Sequence, residues 1–514
     1  MNYTSFLEST ETELVPFFGI IFPYVEKFLD IDKYVSPSLK NNLQNTLLEE
    51  LSAFAEVTLQ SELEQFVSYN NDSTFEQFII EVNSSLSKNY PVLDEKLKTQ
   101  VLNFSNHIFN IVDRFNKDIQ EVIKIFNLNI SIRDLNIINI KASLGDGHNG
   151  EGTALIYLSN GTKLIYKPRN VEITNSYNAF IDWINSNLYL DLKTFKVLNR
   201  QDYGWLEFIE DEKIDHEKDL HKYYQKAGIL SAVTLLLGSK DYHRENIIAS
   251  GKNPVLIDHE TIIQPFLSSE FVGSWDEKHK ISYFSVLESA LIINPNTGLP
   301  SDLAGFGVPG KLEVTEVDKK VINSNTIDSK RIIQFVTRKL VEKNVPIYKN
   351  NYIFVNQYKE DFCIGFSMAY DLFLSSKEEL KSQTSPLQSF KSKLVRYVWR
   401  PTFVYFKILK YLRNPVFMSG FEVYHSKLRD LLSKAYKREE MEEYQFILDF
   451  EIKQMMNGDI PIFILKSEDN FLEGNKSFKI FESNCLENIY KRIDLLSDQH
   501  KKEQLAYIKI WLNS

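Results

Sequence analysis

The sequence predicts an α+β protein with a helical N-terminal region, a central core that mixes strands and helices, and a large, mostly helical C-terminal lobe. Two observations predict this division. Apolar residues recur at helical spacing over the first 130 residues. Short apolar runs separated by Gly, Asn and Pro then replace them, which is typical of strands joined by hairpins. We therefore expect three regions at residues 1–130, 131–275 and 276–514.

Composition and charge exclude several classes of protein. The 514 residues are 43% hydrophobic and 25% charged, and the net charge of −10 does not favour a general affinity for nucleic acid or anionic lipid. Two distant cysteines, Cys363 and Cys485, form neither a zinc pattern nor a disulfide framework, which suits a reducing cytoplasm. The apolar segment 14–25 is too short to span a bilayer. We expect a cytoplasmic protein with no transmembrane segment and no nucleic-acid partner.

The N-terminal region shows the periodicity of amphipathic helices. Apolar residues are spaced three and four apart within residues 41–66, 75–86 and 97–126. Packing explains this stripe, and a peptide-binding cap is the alternative.

A glycine-rich segment separates the first two predicted strands. Strand 135–144 runs into Gly145-Asp-Gly-His-Asn-Gly150, and a second strand, 154–158, follows. This Gly-x-Gly-x-x-Gly pattern lies between strands and not before a helix, which argues against a dinucleotide fold and for a loop that covers phosphates. A second copy, at residues 305–310, contains a proline and is predicted to be a turn.

The third strand, 163–167, ends at Lys167. Its position after the glycine loop resembles that of the kinase lysine that contacts the α- and β-phosphates of ATP. We expect ATP phosphates to be bound by these residues: Gly145, Gly147, Gly150, Lys167 and Arg169. The alternative is that the basic residues are solvated strand ends.

The densest group of polar residues follows an apolar helix that ends at Gly238. Asp241 and Asn246 are five residues apart, and Asp258 ends the hairpin that comes next. Phosphotransferases of the protein-kinase type use this spacing. Asp241 would orient the accepting hydroxyl, while Asn246 and Asp258 would hold Mg²⁺ through oxygen atoms. A loop whose Asp and Asn residues merely cap turns is the alternative.

The order of glycine loop, lysine strand, helix, strands, helix, catalytic loop and metal hairpin predicts a bilobal, kinase-like core. The sequence does not identify the carboxylate that pairs with Lys167, for which Glu172 and Asp182 are candidates. In the C-terminal lobe we expect an amphipathic helix at residues 393–405 and a linker or exposed insert at residues 316–330.

Several motifs together resemble the dehydratase domain of class II lanthipeptide synthetases. They are Gly145-Asp-Gly-His148, Tyr166-Lys-Pro-Arg169, Asp241-Tyr-His-Arg-Glu-Asn246, Leu256-Ile-Asp-His-Glu260, Arg396-x₃-Arg-Pro-Thr402 and Gly458-Asp-Ile-Pro461. The resemblance runs from about residue 135 to the C-terminus. It implies a lipid-kinase-like fold that phosphorylates Ser and Thr of a ribosomally made precursor peptide with ATP and Mg²⁺. The same pocket would then eliminate phosphate to leave dehydroalanine or dehydrobutyrine.

Carried over position by position, the resemblance implies two sets of residues. The phosphorylation residues are Lys167, Asp241, His243, Asn246, Asp258 and Glu260, with Glu260 joining Asn246 and Asp258 as a metal ligand. The elimination residues are Asp146, His148, Arg396 and Thr402. This chemistry is coherent, because phosphate is a far better leaving group than hydroxide and an arginine can stabilise its developing charge.

The resemblance also implies partners for the protein, which are a precursor peptide with a leader segment, a separate cyclase and an export transporter. Full-length members of the family carry a zinc-dependent cyclase domain after the dehydratase. Two distant cysteines do not supply such a site, so we expect a stand-alone dehydratase with no cyclase domain. Either a separate cyclase completes the rings or the product keeps its dehydrated residues.

Three other functions stay open on the sequence. The nearest is a peptide or small-molecule kinase that stops at the phosphorylated product. The others are a non-catalytic peptide-binding scaffold and a metal hydrolase built on Asp241, His243 and Asp258, which would not explain the glycine loop or Lys167.

Overall fold

The computed structural model describes residues 15–70, 72–271, 283–293, 303–307, 312–341, 343–434, 442–474 and 478–513. Helices form the described part of the N-terminal region, and the three periodic stretches of the sequence are confirmed as helices. They are α1 (Phe18–Phe28), α2 (Pro37–Tyr69), α3 (Phe75–Asn89) and α4 (Pro91–Phe126). Local sequence determines where they start: Ser36 caps α2 ahead of Pro37, and Thr74 forms a capping box with Gln77 at the start of α3.

An antiparallel sheet follows these helices. Its strands are β1 (Ile137–His148), β2 (Glu151–Leu158), β3 (Lys163–Lys167), β4 (Val197–Asn199) and β5 (Gly204–Glu207), in the order β1-β2-β3-β5-β4. Helix α5 (Ile173–Leu188) lies between β3 and β4 along the chain. The protein is therefore of the α+β class, as predicted.

The central core continues with a buried helix and a hairpin. Helix α6 (Glu217–Leu237) ends at Gly238, whose φ of 70° is the left-handed conformation that favours glycine at a helix end. Strands β6 (Ile247–Ser250) and β7 (Asn253–Leu256) pair antiparallel after the intervening loop, as the sequence predicted.

The rest of the chain contains helices and short strand pairs. Its strands are β8 (Phe266–Leu267), β9 (Glu313–Ile322), β10 (Lys330–Lys339), β11 (Ile347–Tyr348), β12 (Asn351–Tyr352), β13 (Leu394–Tyr397), β14 (Phe463–Lys466) and β15 (Phe481–Ser483). Its helices are α7 (Lys359–Ser375), α8 (Lys377–Lys381), α9 (Thr402–Tyr411), α10 (Pro415–Met418), α11 (Phe421–Ser433), α12 (Glu442–Met456), α13 (Cys485–Leu495) and α14 (Asp498–Leu512).

One expectation for this lobe is wrong, and one of the two alternatives for another is excluded. Residues 393–405 are not one helix: β13 pairs with β14, and α9 begins at Thr402. Pro401 explains the break, because proline disfavours helical conformation in the residue before it. The stretch 316–330 is an exposed insert and not a linker, since it forms most of β9 and the turn into β10, with residues 316–320 exposed and positive φ at Asn323 and Asn325.

Two large hydrophobic cores, besides a small cluster of Val341, Val345 and Phe354, stabilise the described structure. One packs the N-terminal helices against β1, β2, β3 and β5 and against α9, α11 and α12. The other surrounds α6 and α7 and includes the β6–β7 hairpin and helices α13 and α14. In the residues that the structure describes, no helix has the length and apolar character needed to cross a membrane.

Candidate active site

The glycine-rich segment forms the end of β1 and the turn into β2. His148 pairs with Glu151 across a two-residue turn in which Asn149 has φ 52° and Gly150 has φ 74°. Positive φ at both positions is the reason hairpins of this type use Asn-Gly. Gly145 also has a positive φ, of 81°, and a Cβ added there would meet no described atom within 4 Å.

The C-terminal Gly458-Asp-Ile-Pro461 motif holds this hairpin. The Gly150 amide donates to Asp459 Oδ1 at 2.9 Å, and the Ile460 amide donates to the Gly147 carbonyl at 3.1 Å. The sequence alone gave this motif no role, because Gly150 and Asp459, which this hydrogen bond joins, are more than 300 residues apart. The resemblance to the lanthipeptide family was the only signal that could have found it.

Lys167, at the end of β3, points to the loop after β7. Its Nζ lies 2.7 Å from Asp258 Oδ1 and 3.0 Å from Glu260 Oε1. Asp258 and Glu260 therefore both pair with Lys167, a pairing that the sequence did not identify. Of the two earlier candidates, Glu172 instead pairs with Lys393 at 2.6 Å.

Cationic side chains surround Glu260. Besides Lys167, Arg169 Nε lies 2.9 Å from Oε1, and Arg396 NH1 lies 4.0 Å from Oε2. The side chains of Lys167, Glu260 and Arg396 are each about nine-tenths buried, so these charges interact with little solvent screening. The structure thus brings residues of both predicted sets together around one carboxylate.

The same cations act on Asp258. Burial opposes its ionisation, but Lys167 and Arg169 outweigh that effect and hold the pKa of Asp258 well below its ordinary value. Asp258 is therefore an anion at neutral pH.

Hydrogen bonds to backbone carbonyls fix the predicted catalytic loop against the β6–β7 hairpin. The Asn246 side-chain Nδ2 donates to the Asp241 carbonyl at 2.7 Å, and the Ile257 backbone amide donates to the Asn246 carbonyl at 2.9 Å. His243 Nε2 lies 3.8 Å from Asp241 Oδ1. Asp241 and Asn246 are therefore neighbours, and Asn246 also lies beside the strand that leads to Asp258.

His148 is buried and has a defined tautomer. Its Nδ1 lies 2.6 Å from the Ile460 carbonyl, which can only accept, so Nδ1 carries the hydrogen and Nε2 has the lone pair. No described group hydrogen-bonds to Nε2. Burial, and then the charges of Arg396 and Arg169, lower the pKa of His148 well below its ordinary value.

The remaining predicted elimination residues lie on different elements. Arg396 is in β13, opposite Ile464, and Thr402 is the first residue of α9. Asp146 is in β1, and its side chain lies outside the described part of the structure.

Metal binding fits some of the predicted ligands better than others. Asp258 supplies an anionic carboxylate, and the Asn246 side chain uses its nitrogen to donate, which leaves its oxygen for a cation. Mg²⁺ commonly takes one or two such oxygens and completes its shell with water and phosphate. Glu260 fits less well, because its side chain is more deeply buried than that of Asp258 and Arg169 and Arg396 lie beside it together with Lys167. Within the described residues, no three His, Cys, Asp or Glu side chains form a metal-binding group.

Comparison with known proteins places the chain in a family. Residues 90–466 match the model described as "Domain of unknown function (DUF4135)", and the chain belongs to that family. It is also 26% identical, over 451 residues, to the "Lacticin 481/lactococcin biosynthesis protein LcnDR2" of Lactococcus lactis subsp. lactis. The match covers 83% of this chain and 46% of that relative, so the chain spans about half of the relative's length. These findings confirm the resemblance to the class II lanthipeptide synthetases.

Proposed function

We propose that the protein dehydrates Ser and Thr residues of a ribosomally made precursor peptide, by phosphorylation from ATP and then elimination of phosphate. The proposal includes a bilobal, kinase-like core. Its two parts would be the sheet with its glycine hairpin and the segment from α6 to β7. It is supported by the likeness to a protein named for lacticin 481 and lactococcin biosynthesis. The observation that carries it is the contact of Lys167 with both Asp258 and Glu260.

In phosphoryl transfer, the residues of this chain would hold ATP and the substrate hydroxyl in place and balance the charge of the phosphates. The glycine hairpin and Lys167 would bind ATP phosphates, and Asp258 with the Asn246 oxygen would hold Mg²⁺, which neutralises phosphate charge when bound. Asp241 would accept the hydrogen bond of the substrate hydroxyl. The transfer forms a bond between that oxygen and the γ-phosphorus, breaks the bond to ADP, and releases the hydroxyl proton.

For elimination, a base must take the α-proton while a cation stabilises the departing phosphate. Arg396 and Arg169 form the cationic side of the site, and His148 Nε2 is the neutral acceptor beside them. A bound phosphate dianion would offset the two arginines that lower the pKa of His148, which would make it a better base. The Cα–H electron pair becomes the Cα=Cβ bond, and the Cβ–O pair leaves with phosphate.

The partners follow from this activity. The substrate would be a precursor peptide with a leader segment, met in the cytoplasm, where ATP is supplied. A kinase that stops at the phosphorylated peptide is the second candidate, favoured only by the phosphoryl-transfer residues.

The test uses a Ser/Thr-rich precursor peptide with a leader segment, mixed with the protein, ATP and Mg²⁺ and followed by intact mass. We expect successive losses of water. Accumulated phosphate with no loss of water would favour the kinase, and an unmodified peptide would contradict both.

A further inference from the structure

Glu451 of α12 is completely buried and binds Arg400 through both carboxylate oxygens. Arg400 Nε lies 2.6 Å from Oε1, and Arg400 NH2 lies 2.8 Å from Oε2. Such a fork fixes orientation as well as distance. Burying two charges is costly, and apolar replacements of such pairs are often neutral or stabilising, so stability alone is a poor reason for this pair.

The same carboxylate also fixes the first turn of α9. Tyr405 donates its hydroxyl hydrogen to Glu451 Oε1 at 2.6 Å. Arg400 and Tyr405 stand two residues before and three residues after Thr402. Glu451 therefore holds the chain on both sides of Thr402, at the point where the segment leaves β13 and Arg396 and turns into α9.

The C-terminal end of α12 leads to the other part of the site. Helix α12 ends at Met456, and residues 457–461 follow directly. There Asp459 and Ile460 bind the glycine hairpin, and the Ile460 carbonyl fixes the His148 ring at 2.6 Å. One helix thus connects the segment that carries Thr402 with the backbone that orients His148.

We propose that Glu451 is a positioning residue for phosphate elimination, acting through Arg400 and Tyr405 on the start of α9. The inference rests on the proposed function and adds to it a group that does not touch the substrate. The hydrogen bonds of the Glu451 side chain described above go to Arg400 and Tyr405, whereas Asp459 and the Ile460 amide hold the glycine hairpin that would bind ATP. Disturbing Glu451 should therefore slow elimination much more than phosphorylation.

The main experiment uses Glu451→Gln in the full chain, supplied with the same peptide carrying phosphoserine, so that elimination is measured alone. Glutamine keeps the size of the side chain but loses its charge and one acceptor. We expect kcat for elimination to fall on the order of tenfold to a hundredfold, as for small misplacements of reacting groups, with KM within about twofold. Phosphorylation of the unmodified peptide should stay within about threefold of wild type.

Two further variants check the assignment. Tyr405→Phe removes one hydrogen bond and should give a smaller loss in the same direction, which guards against poor folding of Glu451→Gln. Asp449→Asn is the matched control: it lies on the same helix in an exposed pair with Arg429 at 2.6 Å, and elimination should be unchanged.

A double variant, Arg400→Met with Glu451→Leu, separates positioning from stability. We expect its thermal midpoint to be higher than that of Arg400→Met alone or Glu451→Leu alone, while elimination stays slow. Elimination that recovers together with the midpoint would overturn the inference, as would an equal loss of both reactions in Glu451→Gln. A wild-type protein that modifies neither peptide would instead overturn the proposed function, and this inference with it.

Discussion

Asp241 and Asp258 share an unusual backbone conformation, with φ of 67° and 63°. Few residues other than glycine adopt it, although Asp does so more readily than most. Residues held in this way cost about 1–3 kcal/mol each and concentrate at functional sites. Spacing in the sequence singled out both residues, but it could not reveal the backbone strain or the two cations beside Asp258.

Asp258→Asn tests the role of the carboxylate in phosphoryl transfer. It should lower phosphorylation at least about a hundredfold, because metal-held charge contributes several kcal/mol to such a reaction. Lys167 keeps Glu260 as a partner, so the thermal midpoint should change little. Initial rates with ATP and Mg²⁺ measure the effect, with the exposed Asp202→Asn as control. Near-normal, Mg²⁺-dependent turnover would refute the assignment.

Arg396→Ala and Thr402→Ala should separate the two reactions. Arg396 suits the departing phosphate, because its planar fork can hold two oxygens. If transfer does not need these groups, both variants should phosphorylate the peptide and then stall. Mass spectra should show added phosphate where wild type shows loss of water. Normal dehydration by both variants would disprove their elimination roles, and inactivity at the first step would make them structural.

His259 makes stability depend on pH. Burial, and then the charge of Lys167, lower its pKa from 6.5 to about 3, and its ring stacks on Tyr177 at 4.1 Å. The unfolded chain takes up this proton below pH 6.5 and the folded chain does not, so the free energy of unfolding falls as pH drops towards 3. By pH 5 this single group accounts for about 2 kcal/mol. Urea unfolding at pH 7 and pH 5 should show a weaker pH dependence for His259→Gln than for wild type.

At the scale of elements, local patterns predicted most of the helices and hairpins and failed where distant pairing decides. The N-terminal helices, β3 and the β6–β7 hairpin agree with the structure because they depend on neighbouring residues. The strand that contains Arg396 was missed because its partner, β14, is some 70 residues away in sequence. The pairing of Lys167 with Glu260 was missed for the same reason, because the two residues are 93 positions apart in sequence.

Gly150→Ala tests the glycine hairpin as an element. An added Cβ would lie 2.6 Å from Asn103 Cγ, at a φ of 74° that costs an L-residue about 1–2 kcal/mol. We expect the turn to shift away from Asp459 and KM for ATP to rise severalfold. Gly161→Ala is the control, because φ there is 83° and no described atom lies within 4 Å. It should show a similar loss of stability with an unchanged KM, and equal KM values for both variants would contradict the role of the hairpin.

At the scale of the whole molecule, the N-terminal helices are part of the core that supports the site. Trp205 of β5 is fully buried, donates from Nε1 to Asp118 Oδ2 at 2.9 Å and packs against Phe115 of α4. Tyr166, which precedes Lys167, accepts a hydrogen bond from Arg114. The sequence predicted these helices but not that their apolar stripe covers the sheet, because a stripe does not identify what it packs against.

This packing predicts that a chain starting at Asn127 will not fold. Removing α1 to α4 would expose the sheet face that contains Ile156, Leu164, Tyr166 and Trp205, each at most 1% exposed in the structure. At about 1.5–3 kcal/mol per large apolar side chain, the loss is on the order of 10 kcal/mol. That is comparable to the whole stability of an ordinary domain. Thermal melts and binding of an apolar dye should therefore show a loosely packed chain without a cooperative transition. A cooperative melt near that of the full chain would show instead that the helices are a separate cap, as a peptide-binding region could be.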